Sequence, residues 1–372
     1  MKVCYFGTYE RSYSRNQTII NGLKHNNVTV YECHTDIWGK KEHKTDFNLL
    51  GKMKFLLNSS ISYTSLFFRY MFMPEHDVVI VGYPGQIDMF VAKFASFIRG
   101  KPLVFDAYLS LYDSMVNDRK VIKKNSFTGQ ALHFVDKYSC KLANKVLLDT
   151  NEHIKFFSKE FQIPKSKFDR VWIGANNRVF YPRNKRKFDK FTVLFHGKFI
   201  PLQGVPYIIE AAKELKDVNF IIIGAGQSFD SIKKKVSNDK LKNIEFKGFL
   251  PTAEIADYLA KSHVGLGIFG DTEKARRVIP NKAYEILAMK VPLITGLSKA
   301  SLEGLEDSQN CLLCEMASPS SLASAILKLK KNENLRREIA ERGYQTFMNN
   351  FAIDPLGLKV KNILEEVNQQ NR

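Results

Sequence analysis

The chain reads as an α/β protein of two domains, each a doubly wound parallel sheet. Three observations predict this. Its 372 residues exceed the usual size of one domain. Short β-rich runs alternate with helix-like stretches through both halves, the pattern of a parallel sheet covered on both faces. Between the halves, YPRNKRKFDK (181–190) is polar, basic and interrupted by proline, which suits a linker.

In the first half, KVCYFG (2–7), VTVYEC (28–33), DVVIVG (77–82), PLVFDA (102–107) and KVLLDT (145–150) read as buried strands, with helix-like stretches such as NQTIINGLKHN and QIDMFVAKFASFIRG between them. In the second half, FTVLFHG (191–197), VNFIIIG (218–224), IEFKGF (244–249), VGLGIFG (264–270) and VPLITG (291–296) repeat the scheme. PYIIEAAKELK, TAEIADYLAKS and KAYEILAMK are the helices that separate them. The tail adds ENLRREIAERGYQTFMNNF, a break at Asp354-Pro355 and a last helix, LGLKVKNILEEVNQQ. The expected division is 1–180, 181–350 and a terminal helix within 351–372.

Hydrophobic residues make up 44% of the chain, enough for full cores and against a disordered protein. There are 56 Lys and Arg against 38 Asp and Glu, a net charge of +18. That balance fits anionic partners such as nucleic acid, acidic lipid or phosphorylated substrates, or else a lysine-rich solvated surface. No basic helix-turn-helix, zinc-finger or aromatic RNA-binding signature supports nucleic acid. The five cysteines read as reduced, mostly buried thiols, and Cys311 and Cys314 as core residues rather than half a zinc site. MKVCYFGT reads as a strand and turn, not a secretory leader. The apolar stretch at 55–73 is broken by Asn58, Ser59, Ser60, Ser62 and Arg69 and falls short of a membrane span. It reads as an amphipathic helix packed on a sheet, or as a membrane-surface helix with Lys52, Lys54 and Arg69 toward lipid phosphates.

In open parallel sheets, ligands bind at the carboxyl ends of the strands. Gly197, Gly224 and Gly226 lie at such ends, where glycine permits a sharp turn or the close approach of a ligand. In IPNKAYEILAMKVPLITG (279–296), Pro280 and Asn281 open a helix. Lys282 in its first turn is unfavourable against the helix dipole unless an anion binds there. Lys274, Arg276 and Arg277 crowd further positive charge toward the same end. Glu285 is a lone carboxylate on an otherwise buried helix and needs partners: a ribose diol, or Lys282.

GKFIPLQGVPYIIEAAKEL, IIIGAGQ, IEFKGFLP, VGLGIFG, NKAYEILAMKVPLITG and SQNCLLCEMASPSSLASAILKL occur in this order over about residues 190–350. Together they resemble the C-terminal domain of the family 4 glycosyltransferases. FGTYERSYSRNQTIINGL and LVFDAYLSLYD are similar, more weakly, to the N-terminal domain of one branch. The resemblance implies the GT-B fold, two Rossmann-like domains facing a cleft, with the C-terminal helix packing back toward the N-terminal domain. It implies sugar transfer from a nucleotide-diphosphate donor with retention, metal-independent and without a resident cofactor. The chain has no Asp-x-Asp pair of the kind metal-dependent transferases use. Lys198 falls at a donor-diphosphate contact, Asn281 and Lys282 at the diphosphate-binding turn, and Glu285 at the ribose-holding glutamate. The loop from Gly7 to Asn16 falls where the N-terminal domain approaches the donor.

The chain departs from the family at three places. Arg277 stands where a sugar-contacting glutamate is usual, and Gln203 where a phosphate-binding lysine is usual. No N-domain histidine is evident, so Asp106 is the nearest candidate there, or a structural cap. Lys198, Lys282 and Arg277 would then stabilise the departing diphosphate. The acceptor expected in the first domain is a saccharide or lipid-linked sugar of cell-surface polysaccharide or glycolipid synthesis. Basic clusters such as Arg119, Lys120, Lys123 and Lys124 leave peripheral contact with an anionic membrane open. The expected location is cytoplasmic, or at the inner face of that membrane. A nucleotide-sugar epimerase, or a non-catalytic partner- or nucleic-acid-binding protein, are the alternative readings.

Overall fold

The computed structural model describes residues 1–36 and 49–371, with side chains for 1–36 and 60–371. The first domain holds β1 (Lys2–Gly7), β2 (Thr29–His34), β3 (Val78–Val81), β4 (Leu103–Asp106), β5 (Lys145–Leu148) and β6 (Phe168–Arg170). These form one parallel sheet in the order β2-β1-β3-β4-β5-β6. Its helices are α1 (Ser14–His25), α2 (Leu49–Met71), α3 (Asp88–Ile98), α4 (Phe127–Leu142) and α5 (Asn151–Phe161).

Side chains alternate across each strand, so the continuous apolar runs bury on both faces. Cys4, Phe6, Val79, Val81 and Phe105 point to a core shared with Leu66 of α2, Ala92 of α3, Cys140 of α4 and Phe157 of α5. Val3, Tyr5, Val78, Ile80 and Val104 point to the opposite core, shared with Ile19 and Leu23 of α1. One helical layer is therefore α2 to α5. The other contains α1 and the chain's last helix.

The second domain holds β7 (Thr192–His196), β8 (Asn219–Ile223), β9 (Ile244–Gly248), β10 (Val264–Leu266), β11 (Leu293–Gly296) and β12 (Leu312–Cys314). Their order, β12-β11-β10-β7-β8-β9, is the doubly wound arrangement whose switch point lies between β7 and β10. Its helices are α6 (Val205–Glu214), α7 (Phe229–Asn238), α8 (Thr252–Lys261), α9 (Asn281–Ala288), α10 (Pro319–Lys331) and α11 (Glu333–Thr346). Val193 and Phe195 pack with α6 and α10, and Leu194 packs with α8 and α9.

The expected two-sheet plan is met, with β6 and β12 as additional edge strands. The basic stretch at 181–190 has no regular structure and is pinned to the second domain. Arg183 pairs with Asp257 at 2.8 Å, and the Lys187 ammonium donates to the carbonyls of Ala260 and Ser262 at 3.0 and 2.6 Å.

The last helix, α12 (Ile353–Gln370), starts two residues before Pro355, so that proline occupies its first turn instead of breaking the chain. Leu356, Val360, Ile363 and Leu364 of α12 complete the first domain's second core. Gly22 of α1 and Gly357 of α12 let the two backbones touch: a Cβ on Gly357 would lie 2.1 Å from the Gly22 carbonyl oxygen. All five cysteines are buried free thiols, with Cys311 and Cys314 in the core as expected. In the 55–73 stretch, Leu66 and Tyr70 pack inward while Phe68 and Phe72 stand exposed. Lys52 and Lys54 lie outside the residues whose side chains are described.

Candidate active site

The carboxyl ends of strands from both sheets line a cavity of about 390 Å³. Tyr13, Tyr83, Tyr108 and Asp149 come from the first domain, and His196, Lys198, Gln203, Asn281, Lys282 and Glu285 from the second.

α9 organises the second wall. Pro280 precedes it in extended backbone, and no side chain caps its first turn. The Ala283 N–H donates to the Pro280 carbonyl at 2.9 Å; the N–H groups ahead of it keep hydrogen-bonding capacity at the positive end of the helix dipole. The Tyr108 hydroxyl donates to Asn281 Oδ1 at 2.8 Å and ties this helix start to the first domain. Tyr13, Tyr83 and Tyr108 pack against one another with ring centroids 4.8–5.8 Å apart. They give the opposite wall an apolar surface bearing hydroxyl groups.

Lys282 does not point along the helix axis. It is buried, and its ammonium donates to Gln203 Oε1 and lies 3.7 Å above the Phe195 ring. Burial pushes its pKa well below the ordinary lysine value, and the nearby Glu285 opposes that shift only in part. Charge expected at position 203 is thus held one hydrogen bond away.

Glu285 pairs with His196, not with Lys282: His196 Nε2 lies 2.7 Å from Glu285 Oε2. The other ring nitrogen, Nδ1, is buried and has no partner among the described residues. Sequence reasoning missed His196, because one histidine ending an apolar strand gives no periodic signal. It also missed Asp149 at the end of β5, fully buried on the cavity wall. Asp149 Oδ1 lies 2.7 Å from His153 Nδ1, while Oδ2 has no partner among the described residues.

The glycines act first on the backbone. A Cβ on Gly224 would lie 1.9 Å from the Gly197 carbonyl oxygen, and one on Gly226 would lie 2.7 Å from the Phe199 nitrogen. The loops after β7 and β8 therefore pack main chain on main chain, and of these glycines only Gly197 lines the cavity. Gly7 serves a similar end in the first domain, where Asp88 accepts from the Thr8 N–H at 2.6 Å. Burial raises the Asp88 carboxyl to about 6. Neither Gly7, Gly224 nor Gly226 reaches the cavity, although Glu10 and Tyr13 of the same N-terminal loop do.

Two sequence candidates are corrected. Asp106 is fully buried and accepts from Arg15 Nε at 3.0 Å and Nη2 at 2.8 Å. Arg15 donates as well to the carbonyls of Val171 and Trp172, so this pair fastens the chain where it leaves the first sheet. Asp106 has no access to a substrate there.

Arg277 reaches across to the first domain. It donates to buried Asp113 at 2.9 Å and lies 3.8 Å over the Phe156 ring. Beside it, Lys274 donates to Ser114 at 2.5 Å and Thr272 to Asp118 at 3.1 Å. These groups form an interdomain latch; Lys274 and Ser114 of it also line the cavity, and Arg277 does not. Lys198 stands exposed at the cavity rim.

The whole chain superposes on solved structures of this shape. Anabaena HepE, solved in complex with UDP, matches with a TM-score of 0.70 at 15% identity, covering 98% of this chain and 100% of that one. The fold is GT-B. Within it, residues 179–346 match the family model described as glycosyl transferases group 1. The GT-B half with α9 and the glycine loops carries this match.

An uncharacterized glycosyltransferase of Methanocaldococcus jannaschii is 28% identical over 247 residues, 66% of each chain. The lipopolysaccharide core biosynthesis glycosyltransferase LpsE of Rhizobium meliloti is 24% identical over 172 residues, 44% of this chain and 46% of that one. The matched regions thus cover just under two thirds and under half of these relatives.

Proposed function

We propose that the protein is a retaining, metal-independent glycosyltransferase of hexosyltransferase type. It moves a sugar from a nucleotide-diphosphate donor to a saccharide or lipid-linked acceptor in cell-surface polysaccharide or glycolipid synthesis. The carrying observation is the meeting, in one interdomain cavity, of the uncapped start of α9, the Lys282–Gln203 contact and the Glu285–His196 pair. In this reading, residues 181–350 bind the donor, residues 1–180 the acceptor, and 351–372 strap the two.

The diphosphate lies at the first turn of α9, where main-chain N–H groups and the helix dipole favour an anion. Lys282 and Lys198 add positive charge to the departing diphosphate, as preorganised stabilisation of the leaving group. Glu285, oriented by His196, accepts from the ribose hydroxyls. The sugar faces Tyr13, Tyr83 and Tyr108, and the acceptor enters from that side. Arg277 acts by holding the cleft closed. Uridine nucleotides are the first donors to test, since HepE was solved with UDP and with UDP-glucose.

A thermal-shift panel of nucleoside diphosphates and nucleotide sugars tests the proposal. One base should raise the melting temperature. That rise should vanish in Glu285→Ala, which weakens binding by about 2.5 kcal/mol, near a hundredfold, and shrink in Lys282→Ala. Turnover with an acceptor should survive EDTA. A panel in which no nucleotide stabilises the wild-type chain sinks the reading.

A further inference from the structure

We propose that the outer face of α2, α3 and α4 is a docking surface for an anionic lipid bilayer. The three helices lie side by side on one face of the first sheet, so their outward stripes share a side. Outward stripes of such helices are ordinarily polar. Here they carry Phe68 and Phe72 on or just past α2, Phe94 and Phe97 on α3, and Phe127 and Phe134 on α4.

Phe72, Phe97 and Phe127 are 86%, 77% and 88% exposed, far beyond what scattered surface residues need. The α3 stripe follows helical spacing, with Ile87, Phe90, Phe94, Phe97 and Ile98 all exposed. Phe67 stacks on Phe94 at 5.7 Å and makes the α2 and α3 stripes continuous. Contiguous apolar surface of this kind marks an interaction site.

Charge selects the occupant. Lys93, Lys123, Lys124 and Lys137 lie on or beside these helices, and among the described residues none has a carboxylate partner. The Lys141 ammonium sits 5.5 Å over the Tyr138 ring at the edge of the same face. The carboxylates Asp88, Asp113 and Asp136 are turned into the interior. A second copy of the chain would set lysines against lysines across this face. Lipid phosphates instead meet the lysine rim while the phenylalanines enter the acyl boundary. No helix among the described residues is long and apolar enough to cross a membrane, so the contact is peripheral.

Co-sedimentation of the purified full chain with vesicles tests this, with no donor or acceptor needed, so it stands apart from the enzymatic reading. Vesicles enriched in phosphatidylglycerol should pull the chain down at low salt, and pure phosphatidylcholine vesicles far less. Phe94→Ser with Phe97→Ser should weaken partitioning at least about tenfold. Lys123→Glu with Lys124→Glu should weaken it by about fivefold or more per lysine and reduce its salt dependence. Thermal unfolding should show both double variants folded, as expected for exposed positions. Wild-type protein that stays in solution with both vesicle types overturns the proposal. So does a wild-type dimer, read by mass photometry, that the phenylalanine variant dissolves while vesicle binding is absent.

Discussion

The two domains share one plan and use it in opposite ways. Each wraps helices round a six-stranded parallel sheet. On the second domain the outward helix faces are polar and laced with ion pairs. Glu210 of α6 meets Lys213 at 3.0 Å and Lys235 of α7 at 2.5 Å, and Lys213 meets Asp239 at 2.6 Å. Among the described residues, no large exposed apolar side chain lies on α6 to α11. On the first domain the equivalent surface is aromatic. In the cleft both domains bring titratable groups: the second offers His196, Lys198, Lys274, Lys282 and Glu285, and the first Glu10, Arg119 and Asp149 beside its three tyrosines. The same architecture thus presents a polar, ion-paired outer surface on one domain and an aromatic one on the other, while both contribute charged groups to the cleft between them.

The sharpest way to break this pairing is to cut the latch. Arg277→Ala leaves Asp113 buried without its cation and should cost about 3 kcal/mol in urea unfolding. If Arg277 were a phosphate ligand instead, its loss would weaken nucleotide binding more than stability. Gly357→Val tests the strap: the new side chain meets the α1 backbone and should cost about 2 kcal/mol, with Gly357→Ala costing less. An unfolding trace that separates into two transitions would show that the domains depend on α12 for their coupling.

His196→Ala asks whether Glu285 needs its partner. Nucleotide affinity should fall about tenfold, or 1.4 kcal/mol, in KM rather than kcat. His196→Gln, which keeps a donor, should restore part of it.

The smallest effect is on pH. Burial lowers the pKa of Lys282, so the ligand-free amine gives up its proton at a lower pH than an ordinary lysine. A bound diphosphate favours the ammonium and raises that pKa again. Binding therefore takes up a proton, and affinity rises as pH falls, by at most about tenfold per unit, until the free amine is itself protonated. Calorimetry in buffers of different ionisation enthalpy reads the uptake, and Lys282→Met should remove it.

Much of the fold was legible because both sheets are buried on both faces. Continuous apolar runs such as VNFIIIG and DVVIVG leave few other readings, and the observed strands fall inside them. The edge strand Phe168–Arg170 was not legible, since three residues carry no period. In the site, the start of α9 could be read from Pro280, Asn281 and Lys282, because capping and dipole rules are local. The direction of a side chain is not local. Arg277 could be placed near the cleft, but only the packed structure turns it to Asp113. Asp106 ends a strand like a ligand-binding residue, yet Arg15, distant in sequence, claims it. The tyrosine trio converges from three loops and has no signature in any one of them.

The return of α12 bears on how the chain is made. Leu356, Val360, Ile363, Leu364 and Val367 close a core whose other members begin at Val3. On the ribosome, that surface of the first domain stays open until α12 has emerged, after every strand of the second domain. The second domain's sheet, complete by Cys314, can be assembled before then. The half made first is the half finished last.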